Sequence, residues 1–424
     1  MQKVFLKKLL FSIGVLLFCI NVVDAQDTLS KNLRLSYEEA KAILLRENLE
    51  LIAAYYEVSK ADAALIQAKL WRNPYFVWNQ DLYSLEKNQF FNYRNQHLLQ
   101  VEIVVPISGK YINSVRLGKL GIEQNRLIVY DIMRALLYDL GEHYFELQAL
   151  QAKEKLYKEI LIRYEKLIES AENKLRVGAI SSNEVVRLES EYIAVQTESI
   201  HNQNDILTEM SSLRQLLNLQ ESIDIETLNK SLTDSIPLSE IDLINDALEN
   251  RPDYRLNTSQ IKYEEVNLKL EKANALPDVK FAYQPIDRGS NYVRPYEGLV
   301  IEFSLPIFDR NQGNIKLAKA KLEQSKVNQL QSANLIRNEV SQSYHQLLNS
   351  RQGLDNFSLA FLEKIETLNQ NANQNYEKKN INLLEFIDLQ RIYIENKLQY
   401  IDIINEYQKA INYLNFTVGK EILN

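Results

Sequence analysis

The chain repeats one long pattern at an interval of about 200 residues. The segment Val101–Ile107 returns as Ile301–Ile307, with proline at the sixth position of both. Further along, Glu184–Glu189 returns as Glu385–Gln390. Small solenoid units repeat every ~20–50 residues, so this much longer interval indicates a duplicated half-domain. Each copy is predicted to contain two short strands and very long helices.

The first 25 residues have the pattern of a secretory signal. Lysines precede the apolar segment Leu9–Val23, and Val23–Ala25 places small residues before Gln26, as a cleavage site requires. A membrane anchor would need a longer apolar segment. Cys19 is the only cysteine, and no small-residue lipobox precedes it. We therefore expect a cleaved signal, no lipid anchor at Cys19 and no disulfide framework.

The composition narrows the function classes. Removing the predicted signal changes the net charge from −7 to −9, and such an acidic balance argues against nucleic acid as a partner. The histidines show no metal-ligand spacing, and no nucleophile–base constellation or phosphate-binding loop is present. We therefore expect no enzyme activity, no bound metal and no cofactor.

The long helices fold back on themselves at two tips. Glycine and proline are scarce (11 and 8), which is typical of uninterrupted helices. The segment from Lys110 to about Val177 contains no proline, Gly178 breaks it, and a returning helix is predicted to about Leu217. In the second copy the corresponding helices are predicted at Asn314–Asn375 and Leu383–Phe416. Their break is at Lys379-Asn380, where Asn380 is predicted to take the left-handed cap.

Helix-forming patterns also flank these hairpins. An N-terminal helix is predicted from the capping box at Ser36 to about Leu70, and a polar linker at Glu221–Pro237 separates the copies. The predicted organisation is a signal at 1–25, a first repeat at 26–235 and a second repeat at 236–424. Both repeats are expected to form one integrated protomer.

The strands alternate between apolar and polar side chains. They are predicted near 75–83, 97–107, 279–284 and 298–307, with a loop at Pro285–Pro295 in the second copy. Glu102 and Glu302 lie in phase, opposite the apolar face. This alternation also fits a half-buried sheet in a soluble domain, whereas a membrane strand needs roughly 9–11 such residues. The nearby aromatic residues fit interfacial girdles: Trp71, Tyr75, Trp78, Tyr83, Phe90, Phe91, Tyr93, Tyr283, Tyr292 and Tyr296.

Four strands cannot close a membrane barrel, because open edges in lipid leave backbone groups unsatisfied. Three protomers would supply twelve strands, an even number within the range of known barrels.

Several segments together resemble the TolC-type outer membrane factor family. They are the strand-to-helix turn Leu305–Asn314, the helix junction Glu249–Asp253, and the tips Val177–Ser181 and Leu383–Leu389. The resemblance implies a mainly α fold with a small membrane β part. Long antiparallel coiled-coil helices would form a periplasmic tunnel, and four strands per protomer would join a trimeric 12-stranded transmembrane β-barrel in the outer membrane.

The resemblance also implies roles for individual residues. Glu385 and Asp388 match acidic residues that narrow the pore entrance in the family, and threefold symmetry would make each a ring of carboxylates. Gly178, Glu184, Arg187 and Asn380 are the expected tip contacts, with Glu184 and Arg187 able to pair with these acids. Separately from the resemblance, the strand pattern makes Glu102 and Glu302 candidates for the barrel lumen, while each carboxylate could also be an ordinary solvated side chain.

The implied function is a passive exit duct of a tripartite efflux system. Its expected partners are its own homotrimer, a periplasmic adaptor, an inner-membrane pump of the resistance–nodulation–division type and outer membrane lipid. The exit duct of a type I protein secretion system has the same architecture, and the sequence does not separate the two. A soluble periplasmic coiled-coil adaptor is the third alternative, although it would place Gly-rich β-domains beside a single hairpin.

Overall fold

The computed structural model describes residues 33–85, 87–91, 97–220, 223–225, 239–287 and 296–423. The predicted signal at 1–25, most of the predicted linker and most of the predicted loop in the second copy lie outside the described residues, as do Tyr93 and Tyr292. In the described ranges, no helix combines the length and the apolar character needed to cross a membrane.

Helices dominate both halves of the chain. In the first half, the described helices are α1 (Tyr37–Glu47), α2 (Leu49–Ala68), α3 (Lys110–Arg176) and α4 (Ser182–Leu217). In the second half, they are α5 (Glu240–Asn250), α6 (Pro252–Asn274), α7 (Gln312–Asn356), α8 (Leu359–Glu377) and α9 (Leu383–Val418). The 67 residues of α3 span about 100 Å at the rise of an α-helix.

Local signals explain where most of these helices begin. Ser36 accepts a hydrogen bond from the Glu39 backbone while the Glu39 carboxylate accepts from Ser36, which is the predicted capping box. Two predicted helices are nevertheless broken. Asn48 separates α1 from α2 because its side chain caps Leu51 and donates to the Leu216 carbonyl. Phe357 separates α7 from α8, and Ser358 caps the new helix.

A four-stranded antiparallel sheet interrupts the helices. Its strands are β2 (Tyr75–Gln80), β5 (His97–Val105), β7 (Val279–Asp287) and β8 (Tyr296–Glu302), hydrogen-bonded in that order. The predicted strand near 298–307 is therefore too long at its C-terminal end, because Glu302 is the last paired residue. The sheet takes two strands from each copy of the repeat, and β2 and β8 are its open edges.

Two smaller pairings were not predicted. Strand β1 (Leu33–Leu35) pairs in parallel with β6 (Ile223–Ile225), which ties the beginning of the described chain to the end of the first repeat. Strands β3 (Tyr83–Ser84) and β4 (Gln89–Phe90) form a hairpin between β2 and β5.

The helices α3 and α9 approach each other closely at Gly141. A Cβ atom at this position would lie 2.5 Å from the side chain of Asn412. The Asn412 amide donates to the Tyr138 carbonyl at 2.9 Å and to the Glu142 carboxylate at 3.2 Å. Glycine is therefore required here to let the first long helix of one repeat contact the last helix of the other.

A buried guanidinium joins the junction between α5 and α6 to the neighbouring helices. Arg251 is 3% exposed, and it donates to both carboxylate oxygens of Asp253 at 3.0 and 2.6 Å. It also donates to Glu339 of α7 at 2.5 Å and to the Thr417 carbonyl of α9 at 3.2 Å. Arg134 of α3 lies 3.8 Å from the Asp253 carboxylate. One network therefore connects four helices.

Candidate pore-lining and tip residues

The polar face of the sheet carries a chain of paired side chains. The Lys280 ammonium lies between two carboxylates, 2.9 Å from Glu102 and 3.2 Å from Glu302. On the other side, Gln100 donates to Glu102 at 2.9 Å, and Gln284 donates to Gln100 at 2.9 Å. The predicted pair of glutamates thus shares one face, and a lysine between them neutralises part of their charge.

The opposite face of the sheet is apolar except near one end, where Gln80 pairs with His97 and Glu297 accepts a hydrogen bond from the Tyr283 hydroxyl. Directly paired residues point to the same side of a sheet, so the strand register identifies the members of this face. Its apolar members are Phe76, Trp78, Leu99, Val101, Ile103, Phe281, Tyr283, Leu299 and Ile301. Most of these side chains are exposed in the protomer, Trp78 at 58% and Leu299 at 69%. The sheet therefore has one polar face and one face whose exposed side chains are suited to apolar surroundings.

The first tip ends in a Schellman motif at Gly178. The Gly178 N–H donates to the Leu175 carbonyl and the Ala179 N–H donates to the Lys174 carbonyl, both at 2.9 Å. Gly178 has φ +71° and no atom lies near the position of an added Cβ. Glycine is thus needed for its backbone conformation, and its surroundings leave the tip open to a partner.

The second tip has the same hydrogen bonds with a different residue in the strained position. The Lys379 N–H donates to the Tyr376 carbonyl at 3.1 Å, and the Asn380 N–H donates to the Asn375 carbonyl at 2.8 Å. Lys379 has φ +60°, so the prediction that Asn380 takes the left-handed cap was wrong by one residue. Asn380 instead donates its side-chain amide to Asn375 at 3.0 Å, which stabilises the turn from the next position.

Replacing Lys379 with glycine is expected to stabilise the second tip by about 1 kcal/mol, because glycine adopts positive φ without steric cost. The matched change, Gly178→Ala, should destabilise the first tip by a similar amount. Thermal unfolding followed by circular dichroism at the helix band measures both changes. If Lys379→Gly instead destabilises the protein, the lysine side chain stabilises the tip by more than its positive φ destabilises it.

The candidate gate residues lie on the exposed side of α9. Asn382 caps this helix by accepting a hydrogen bond from the Glu385 N–H at 2.9 Å. The residues Leu383, Phe386 and Ile387 turn into the core, whereas Glu385 and Asp388, three positions apart, are exposed. Within the described residues neither acid forms an ion pair, so both carboxylates are available to a neighbouring chain or a passing cation.

The tip residues of the first hairpin have different surroundings. The Glu184 carboxylate accepts from the backbone N–H and the hydroxyl of Ser181, each at 3.3 Å, and so completes the capping box of α4. Arg187 is exposed. In the described protomer the structure does not bring Glu184 or Arg187 into an ion pair with Glu385 or Asp388.

An ion pair that connects the two hairpins near their tips was not predicted. Arg391 of α9 donates to both carboxylate oxygens of Glu191 on α4, the Nε–Oε2 contact being 3.3 Å. This pair raises the pKa of Arg391 above its ordinary value, first through the hydrogen bond to Glu191. Arg391 lies one turn after Asp388, so its place on the same face of α9 could have been predicted from helical spacing. Its partner Glu191 lies 200 positions away, and nothing in the sequence indicates that the two residues meet.

A second polar contact joins α3 to the second hairpin. Arg163 donates to Asn369 of α8 at 2.8 Å and to Gln390 of α9 at 3.3 Å, and Gln390 donates to Asn369 at 3.1 Å. Asn369 and Gln390 are 6% and 3% exposed. Buried amides that satisfy one another fix the register of packed helices, so this cluster aligns the two hairpins just below the tips.

In the part of the chain that the structure describes, no group of three or more His, Cys, Asp or Glu side chains is arranged to hold a metal ion. The chemistry available at the polar sheet face and at the tips is therefore electrostatic, through fixed carboxylates and their partners.

Comparison with known proteins shows which proteins this chain resembles. Residues 243–420 match the model of the outer membrane efflux protein family. The cobalt-zinc-cadmium resistance protein CzcC of Cupriavidus metallidurans is 20% identical over 394 residues, which cover 91% of this chain and 90% of CzcC.

Two solved channels share the fold. A crystal structure of CusC aligns with a TM-score of 0.74 at 17% identity, over 91% of this chain and 92% of CusC. The CmeC outer membrane channel of Campylobacter jejuni aligns with a TM-score of 0.74 at 15% identity, over 92% of this chain and 87% of CmeC.

Residues 243–420 thus resemble the outer membrane efflux protein family, and the fold is that of the solved outer membrane channels. The matching family is named for efflux at the outer membrane, and the CmeC structure is that of an outer membrane channel.

Proposed function

We propose that three copies of this chain form an outer membrane exit duct with a closed 12-stranded barrel. The two-faced sheet with open edges at β2 and β8 is the observation that carries this proposal. In a bilayer both edges must be paired, which pairing β2 of one copy with β8 of the next achieves. The apolar face then contacts lipid, and Glu102, Lys280 and Glu302 line the lumen.

The helical hairpins continue the wall below the barrel. Each half of the protomer, 26–235 and 236–424, contributes two strands and one long hairpin. The tips at Gly178 and Lys379 end the tunnel, where Glu184, Arg187 and Asn380 are exposed or partly exposed. We assign this end to the periplasmic adaptor, and through it to a pump of the resistance–nodulation–division type.

The cargo proposed for this duct is a divalent transition-metal cation. The relative CzcC is named for cobalt, zinc and cadmium resistance. Threefold repetition would turn Glu385 and Asp388 into two carboxylate rings one helical turn apart, and such rings favour cations over anions. A type I secretion duct would carry polypeptide instead.

Separate measurements test the assembly and the cargo. Native mass spectrometry in detergent should give a trimer, and planar bilayers should show discrete ion-conducting steps. Cells lacking the chain should lose resistance to zinc or cobalt, and restoring the chain should recover it. A monomer recovered in osmotic extracts would overturn the channel, whereas a trimeric channel without a metal phenotype would overturn only the cargo.

A further inference from the structure

The β3–β4 hairpin exposes apolar side chains on both of its faces. Tyr83 pairs with Phe90, so these two share one face, and Leu82 and Phe91 belong to the other. The exposed fractions are 64% for Leu82, 47% for Tyr83, 89% for Leu85, 71% for Phe90 and 53% for Phe91. An isolated hairpin is marginal in water, and a contiguous exposed apolar surface marks a contact site.

This hairpin lies on the apolar side of the four-stranded sheet. The ring of Phe91 meets the ring of Trp78 edge-on, with 6.3 Å between the centroids. Trp78 pairs with Leu99 and belongs to the apolar face, whereas the polar face carries Glu102 and Lys280. The hairpin therefore extends the apolar face outward and does not fold over the polar face.

Phe91 is held in this position in a strained backbone conformation. Its φ is +51°, a left-handed conformation that is unfavourable for a bulky side chain. The Phe91 N–H donates to the Leu82 carbonyl at 2.8 Å, and the Tyr83 hydroxyl donates to the side chain of Asn88, which also has positive φ. Strain of this kind persists where the surrounding contacts compensate for it, and here it directs an aromatic ring toward Trp78.

We propose that the described parts of this hairpin, residues 82–85 and 87–91, insert into the outer leaflet of the outer membrane and anchor the barrel laterally. A flat protein surface could cover only one face of the hairpin, whereas lipid can surround both. Aromatic side chains favour the boundary between head groups and acyl chains, and the polar residues Ser84, Lys87, Asn88 and Gln89 suit the head-group layer. The inference rests on the proposed barrel and extends its lipid contact beyond the strands.

Site-directed spin labelling tests the location of the hairpin. The full-length chain carrying Leu85→Cys is labelled as the assembled channel in vesicles of phosphatidylcholine and phosphatidylglycerol. Because Leu85 is 89% exposed, the label displaces little packing. Collision rates with oxygen, which concentrates in lipid, and with a water-soluble nickel chelate are then compared. We expect the oxygen-to-nickel ratio at Leu85 to exceed that of the matched variant Lys87→Cys several-fold, because the acyl region excludes the charged chelate.

A third label separates this proposal from the barrel itself. Ile301→Cys lies on the apolar face of β8, outside the hairpin. Oxygen-accessible labels at both Ile301 and Leu85 support the anchor. If the Ile301 label is exposed to lipid but the Leu85 label is as accessible to nickel as the Lys87 label, the anchor alone is overturned. A Leu85 label that is shielded from both reagents also overturns the anchor, because the hairpin then packs on a neighbouring protomer. A nickel-accessible Ile301 label overturns the barrel.

Discussion

Replacing Arg251 with methionine is expected to lower the free energy of unfolding by about 3 kcal/mol, because two partly buried carboxylates lose the guanidinium that they share. Asp253 would lose two hydrogen bonds and Glu339 one, while both remain partly buried. Thermal or denaturant unfolding of the purified protein, followed by circular dichroism at the helix band, measures the change.

The control for this substitution lies on α7. Arg337→Met removes an exposed guanidinium two residues from Glu339, and should change stability by less than about 0.5 kcal/mol. Equal effects of the two substitutions would contradict a special role for the buried network.

The cost of Arg251→Met should also depend on pH. Burial alone would raise the pKa of Asp253, but the hydrogen bonds and charge of Arg251 lower it below the ordinary value of 3.8. A carboxylate with a lowered pKa contributes stability above its ordinary pKa, and that stability is lost as pH falls through the folded value. The stability difference between the native protein and Arg251→Met should therefore narrow below pH ~4. A difference that stays constant down to pH ~3 would contradict this.

Neutralising the second tip with Glu385→Gln and Asp388→Asn is expected to reduce the preference of the channel for cations about fivefold, because one unit charge at ~4 Å in water contributes about 1 kcal/mol. Reversal potentials under a salt gradient in planar bilayers measure the preference. The effect should shrink in concentrated salt, which screens fixed charges.

A matched pair of substitutions lies on the first hairpin. Glu172 and Glu189 are exposed near the first tip, and Glu172→Gln with Glu189→Gln removes the same charge. If only the second hairpin lines the pore entrance, this control leaves the preference nearly unchanged. The same loss in both double variants would assign the effect to the overall charge of the tunnel mouth.

The sequence predicts well those features that neighbouring residues determine. The capping box of Ser36 and Glu39 and the alternation around Glu102 depend on residues a few positions apart, and both are found in the structure. The long helix from Lys110 depends on the absence of breakers, which is also visible locally.

The missed features depend on register and on packing between distant segments. Lys280 lies between two glutamates only because β5, β7 and β8 pair with a particular offset, and strand pattern alone leaves that offset open. The pairing of Glu191 with Arg391 likewise depends on how two distant helices pack, which the sequence pattern leaves open. At the second tip, the sequence identified the turn, but hydrogen bonding decided that Lys379 and not Asn380 takes positive φ.

The break at Phe357 makes the two hairpins mechanically unequal. The helix α3 runs unbroken from sheet to tip, so a twist applied at its tip reaches the strands. In the second repeat, Phe357 leaves the helical conformation with ψ +56° and contacts Phe361 and Tyr400. A few element-terminal residues of this kind absorb rotation in hinge motions. We therefore expect a twist applied to α8 to be absorbed at this joint before it reaches α7 and β8, whereas a twist applied to α3 is passed on to β5.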